Sequence, residues 1–217
     1  MKHLFKFLKK KDHAETGIGT MIIFIAMVLV AGIAASVLIQ TSARLQSQAM
    51  TTGEETTAEV ATGLEVTSVQ GHVSGGTIDQ LAITIRARSG SKDIDLSTAV
   101  LELSDGLNKH VLSFDTTPVY ADAPAIGGIF TTDVFDDLTA SEFGLIELQD
   151  ADGSSSGATP VINRGDKMII SVNVTATFGT LLERTDVSGS ILPEEGAPGI
   201  ISFRTPSTYT DIVLNLQ

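Results

Sequence analysis

The sequence predicts a long N-terminal α-helix followed by an all-β sandwich head. Three observations carry this prediction. Met21–Ile39 is a run of nineteen residues without a charge, about the length an apolar helix needs to cross a bilayer. From Gly63 onward the hydrophobic pattern drops to a period of two, which is that of strands. The runs are short and separated by Gly, Asp, Ser and Pro, which fits an antiparallel sandwich.

The chain opens on Met1-Lys-His-Leu-Phe-Lys-Phe-Leu-Lys-Lys-Lys11, which holds five of its fourteen basic residues. Beyond Ala14, nine basic residues face twenty-five acidic ones, a net charge of −16. Such a surface repels nucleic acid and anionic lipid, so nucleic-acid binding is excluded as a function. There is no cysteine, which removes disulfides and thiolate chemistry. The 155 residues from Gly63 to Gln217 are enough to bury a core by packing alone.

Three readings compete for residues 1–39. A cleaved secretory signal fits poorly, because the apolar run exceeds the usual h-region and no clear Ala-x-Ala site follows Ile39. A permanent signal anchor would keep the lysines in the cytoplasm and the head outside. In the third reading the cut falls before the apolar run, which stays on the mature chain. The run holds thirteen large apolar side chains. Exposing them to water would cost about 20–40 kcal/mol, so the rod must lie in lipid or against other copies of itself. In lipid, helices associate by close packing. Ala31 with Ala35 and Gly32 with Ser36 form small-xxx-small pairs suited to it.

The helical pattern continues through Gln40-Thr-Ser-Ala-Arg-Leu-Gln-Ser-Gln-Ala-Met50, and Arg44 is the only charge between Glu15 and Glu54. The helix ends either at Thr51-Thr-Gly53 or, past Glu54-Glu55, near Gly63. Even the shorter version is about 55 Å long, more than a bilayer's hydrocarbon core.

In the head, Leu81, Ile83, Ile85 and Ala87 alternate with Ala82, Thr84 and Arg86. Met168, Ile170, Val172, Val174 and Ala176 alternate with Ile169, Ser171, Asn173 and Thr175. Further strands are expected at Leu64–Val73, Ala99–Leu103, His110–Phe114, Ile200–Arg204 and Ile212–Leu216. Asn173-Val-Thr175 is the only N-glycosylation sequon. The alternation puts Asn173 opposite Ile170 and Val172, on a face expected to be accessible.

No basic residue occurs between Lys109 and Arg164, and nine acids lie from Asp115 to Asp152. Two readings are open: a solvated outer face, or a site for a divalent cation. Asp150-Ala-Asp152-Gly-Ser154 begins like a calcium loop, but Val161 stands where the closing acid belongs, so it is not an EF-hand. No other cofactor is expected. The four histidines have no ligand spacing, Gly17-Ile-Gly19 follows no strand, and there is no phosphate-binding Gly-x-x-x-x-Gly-Lys. An enzyme is not expected.

The block from Gly17-Ile-Gly-Thr-Met-Ile-Ile-Phe to Ile39 closely resembles the N-terminal core of archaellins, the archaeal flagellins. Pro193-Glu-Glu-Gly-Ala-Pro-Gly-Ile-Ile-Ser-Phe-Arg-Thr-Pro206 and Asp211-Ile-Val-Leu-Asn-Leu-Gln217 resemble the end of the same family. The resemblance implies a class III signal leader over 1–14, removed between Ala14 and Glu15 by a prepilin-type peptidase, with Gly17 as third mature residue. Asp12-His13 departs from the family's basic residues beside the cut. It further implies a filament-core helix over 15–62 and an immunoglobulin-like sandwich over 63–217. The precursor would wait in the cytoplasmic membrane and assemble, with itself or paralogous subunits, into an extracellular filament for swimming. Export and rotary motor machinery would be its partners. The alternatives are an adhesive pilus subunit of the same processing class and a signal-anchored surface binding protein.

Overall fold

A computed structural model describes residues 2–115 and 120–217, with side chains from Thr16 onward. One helix, α1, runs Lys2–Ala61. The chain divides into two compact units, Met1–Glu54 and Glu55–Gln217. The helix thus takes the longer of its two expected courses. Thr51 stays inside the helix, with its hydroxyl bonded back to the Ser47 carbonyl 3.0 Å away.

The second unit carries twelve strands among the described residues. They are β1 (Leu64–Ser74), β2 (Thr77–Ala87), β3 (Ile94–Asp95), β4 (Val100–Ser104), β5 (Lys109–Phe114), β6 (Tyr120–Ala121), β7 (Glu142–Gln149), β8 (Val161–Ile162), β9 (Lys167–Asn173), β10 (Asp186–Leu192), β11 (Gly199–Arg204) and β12 (Val213–Asn215). The main path of pairing is β11-β10-β4-β5-β7-β9-β2-β1-β12, and β3 pairs β8 separately. Nearly every pair is antiparallel. The exceptions are β5 and β6, which run parallel to β7.

This path folds into two leaves that meet at β7. The leaves close on each other where Leu64 N donates to Ala197 O (3.1 Å) and Ala197 N to Thr62 O (2.8 Å). At the C-terminal end, Val69 N on β1 donates to Gln217 O (3.1 Å), and Ser202 N on β11 donates to Gln217 Oε1 (3.0 Å). One terminal residue therefore ties the two leaves together. The result is the immunoglobulin-like sandwich expected.

Register decides which side chains meet. Ile83 pairs Ile170, and Ile170 pairs Leu145, so one row crosses three strands on the inner face. Leu101, Leu103, Leu112, Val187, Ile191 and Ile201 face it from the second leaf, and all are fully buried. Burial of each such side chain contributes about 1.5–3 kcal/mol.

The opposite face of the first leaf carries Ala82, Ser171 and Gly144 in one row and Thr84, Ile169 and Ile146 in the next. Most of these are buried too. Two short 3-10 turns, Ile129–Thr131 and Asp133–Phe135, lie over that face. Val134, Phe135 and Leu138 point inward while Asp133, Asp136 and Asp137 stay in solvent. The acid-rich stretch is thus solvated on one side and a layer of core on the other.

Five strands were not expected: the two-residue strands β3, β6 and β8, and the longer β7 and β10. In β7, Phe143-Gly-Leu-Ile146 is buried without alternation. In β10, Asp186-Val-Ser-Gly-Ser-Ile-Leu192 has the composition of a turn. Gly189 is required there, because a Cβ would collide with the Glu102 carbonyl of the neighbouring β4.

One expected strand ends early. The run Met168–Ala176 leaves the sheet at Asn173 and enters a helical turn, α2 (Val174–Thr177). Asn173 Oδ1 caps this turn by accepting from Ala176 N (3.0 Å), and Nδ2 donates to Phe135 O (3.2 Å). Asn173→Ala is expected to lose about 1 kcal/mol for the cap and a similar amount for the second bond. Asn173→Asp should recover the cap alone. Chemical unfolding of the three chains measures both steps, and equal stability throughout would remove the capping role.

Candidate assembly surface

The rod presents an apolar surface on all sides. From Ile18 to Ile39 its large hydrophobic side chains are 52–71 % exposed. A helix that is apolar all round is stable only when covered. Two of its hydroxyls are satisfied locally: Thr20 bonds the Gly17 carbonyl (2.9 Å) and Thr41 the Leu38 carbonyl (3.0 Å). These two groups can enter lipid or a protein interior without stranding a donor.

Ala31, Gly32, Ala35 and Ser36 are exposed and occupy successive turns of one strip. No atom lies within 4 Å of where a Gly32 Cβ would be. The strip is a notch into which a second helix can settle closely. Gly17 is an exposed helical residue. Ala14 and Glu15, which flank the expected cut, lie outside the residues whose side chains are described.

The head offers a second constellation. Asp150, Asp152 and Asp166 each bring a carboxylate oxygen within 4.8 Å of the others. Asp166 is the third carboxylate, at a spacing no calcium loop has. It comes from the Asn163-Arg-Gly-Asp166 turn before β9 and is buried, accepting from Ala151 N and Asn163 N, both 2.9 Å. Asp152 Oδ2 accepts from Asn163 Nδ2 at 2.9 Å. Backbone N–H groups of Ser155, Gly153 and Asp152 hold the Asp150 carboxyl below the ordinary carboxylate range. Beside the loop, Tyr120 donates to Glu147 Oε2 (2.8 Å), and burial pushes its hydroxyl up to about 12. Among the described residues this is the one cluster of carboxylates suited to a divalent cation.

A depressed folded-state pKa contributes stability above the unfolded value and loses it as pH falls through the folded one. The 150–155 loop is therefore expected to loosen only below the ordinary aspartate range of about 3.9. Amide exchange at Gly153 and Ser155 measures this. Exchange unchanged well below that pH would mean that the Asp150 carboxylate does not hold the loop.

The remaining expected site residue is Asn173. It is half-buried on a strand covered on both faces, and both ends of its side-chain amide are bonded. The accessible face expected from alternation is absent, because the 3-10 turns cover it. Of the head histidines, His72 Nδ1 lies 2.7 Å from Asp79 Oδ1 with its ring against Phe130, and His110 packs edge-on to Phe178. Among the described residues, neither belongs to a group of three or more metal-ligating side chains.

A bare apolar rod joined to an acidic sandwich head is the arrangement on which the comparisons bear. The sequence profile of archaeal-type flagellin matches residues 14–203. The chain belongs to this family. Flagellin B2 of Methanocaldococcus jannaschii is 47 % identical to this flagellin over 217 residues, 99 % of each chain. Flagellin B3 of Thermococcus kodakarensis is 38 % identical over 98 % of this chain and 100 % of its own. The crystal structure of archaeal flagellin FlaB1 from M. jannaschii superposes with a TM-score of 0.66 at 36 % identity, covering 72 % of this flagellin and 98 % of that chain. The archaeal flagellum of Methanospirillum hungatei superposes at 0.58 with 14 % identity, over 92 % and 98 %. At that identity the likeness is one of fold.

Proposed function

We propose that this flagellin is a structural subunit of the archaellum filament, with α1 helices bundled in the core, sandwich heads forming the outer wall, and swimming as its purpose. One observation carries the reading: a rod whose large apolar side chains from Ile18 to Ile39 are exposed on every side. No catalysis is assigned to the chain. It acts by polymerising, with itself or with paralogous subunits, and a motor elsewhere turns the result.

The leader supports the same route. Five lysines at the buried end of each helix would bring unpaired charge into an apolar bundle and oppose the positive end of the helix dipole. Cleavage between Ala14 and Glu15 by a prepilin-type peptidase removes them and leaves an acid in the first turn. The precursor stays in the cytoplasmic membrane until then, and the export machinery moves the mature chain to the surface. Intact mass and the N-terminal residues of protein sheared from cells test this. A start at Glu15 supports it. A start at Met1 means a permanent anchor, and the filament reading falls.

Two subsidiary assignments belong to the proposal. A divalent cation at Asp150, Asp152 and Asp166 would raise the unfolding temperature on adding calcium, and Asp166→Asn should abolish the rise. An unchanged unfolding temperature would leave the loop to hydrogen bonds alone. An N-glycan at Asn173 requires attachment before α2 closes, because Nδ2 is bonded to Phe135 O in the folded head. Mass mapping of the Asn173 peptide decides it.

A further inference from the structure

This inference rests on the filament reading above and concerns what fixes the offset between neighbouring copies. Arg44 is the only charge between Glu15 and Glu54. It is exposed on α1, and among the described residues it forms no ion pair. Its neighbours one turn away, Gln40, Thr41, Ser47 and Gln48, are all uncharged. Glu54, the nearest carboxylate along the rod, is ten residues further on. That is about 15 Å along the axis, beyond the reach of an arginine on the same helix.

When copies sheathe the rod, water leaves, and an unpaired guanidinium becomes costly. We propose that Arg44 of one copy pairs with Glu54 of a neighbouring copy shifted about 15 Å along the rod, and that this pair sets the axial register. Every copy leaves the membrane with its leader end on the same side, so the helices are parallel, and a fixed offset is the only way to bring the two groups level. A guanidinium and a carboxylate match as a forked pair. Each copy brings one Arg44 and one Glu54, so a pair uses one copy's Arg44 and the next copy's Glu54. An unused partner remains at either end. Such a contact is head-to-tail and does not close on itself, which is the condition for an open filament.

The test is a charge swap in cells that make filaments from the full chain. Arg44→Glu and Glu54→Arg alone are each expected to cut sheared filament by about tenfold or more, with wild-type amounts of precursor in the membrane. The double variant R44E/E54R should restore filaments to near the wild-type yield. Normal filaments from either single variant would overturn the pair. So would a double variant no better than the singles. Full assembly by Arg44→Gln would also overturn it, and would assign Arg44 to the surrounding glutamine amides. Wild-type cells without filaments would defeat the filament reading itself, a result distinct from all of these.

Discussion

Replacing Gly32 and Ala35 together with leucine is expected to abolish filaments while leaving the chain in the membrane. The helix itself should not suffer. Leucine is a better helix former than glycine by about 0.8 kcal/mol, and nothing surrounds Gly32 for a new side chain to strike. Leucine is also at home in lipid. What changes is the distance at which a second helix can lie, because two branched side chains fill the notch made by Ala31, Gly32, Ala35 and Ser36. Association within lipid depends on close packing and has no hydrophobic term to compensate. Membrane fractions and sheared material from the same cells separate insertion from assembly. Filaments of normal yield from the double variant would show that the rods do not meet along this strip.

The second large effect is expected in the head. Phe135→Ala should cost about 3–5 kcal/mol, a large part of the stability of an ordinary domain, which is about 5–15 kcal/mol. Phe135 is fully buried although it belongs to a 3-10 turn in the acid-rich stretch. Its ring stands 5.6 Å from that of Phe130, and its carbonyl is held by Asn173 Nδ2. Removing the ring leaves a cavity over Ile169 and Ile146 and frees the layer that covers them. Thermal unfolding reports the cost, and amide exchange in β7 and β9 reports the uncovering. A loss under about 1 kcal/mol with unchanged exchange would mean that the stretch is a surface loop and not a layer of the core.

Much of the fold was legible because it leaves a local mark. The apolar rod needs only composition and length to be seen. The strands β1, β2, β4, β5, β9, β11 and β12 each overlap a run found by alternation. The strands that escaped explain themselves. β7 is buried on both faces over Phe143–Ile146 and so has no period of two. β10 is built of Ser and Gly because Gly189 lies against the Glu102 carbonyl. The end of β9 departs from its alternation for a related reason. Val174 and Ala176 continue the alternation, but the Asn173 cap turns the backbone away.

The candidate sites divide in the same way. Ala31, Gly32, Ala35 and Ser36 are found by spacing alone, because one helix places residues four apart on one strip. Asp150 and Asp152 are found as a loop pattern, while their third partner, Asp166, is not. It lies fourteen residues beyond Asp152 and joins them only because the chain doubles back before β9. Gln217 likewise reaches Val69 and Ser202 across the whole head.

Composition and local pattern alone establish that this chain carries a rod requiring cover, a negatively charged head and no thiol chemistry. Those properties are sums over composition and short-range period, and no later contact can change them. The folded chain adds that the acid-rich stretch forms a second core layer, that Asn173 is a bonded cap under it, and that Asp166 completes the carboxylate cluster. Each of these depends on segments far apart in the chain being brought together. Contacts of that kind impose no periodicity on either segment.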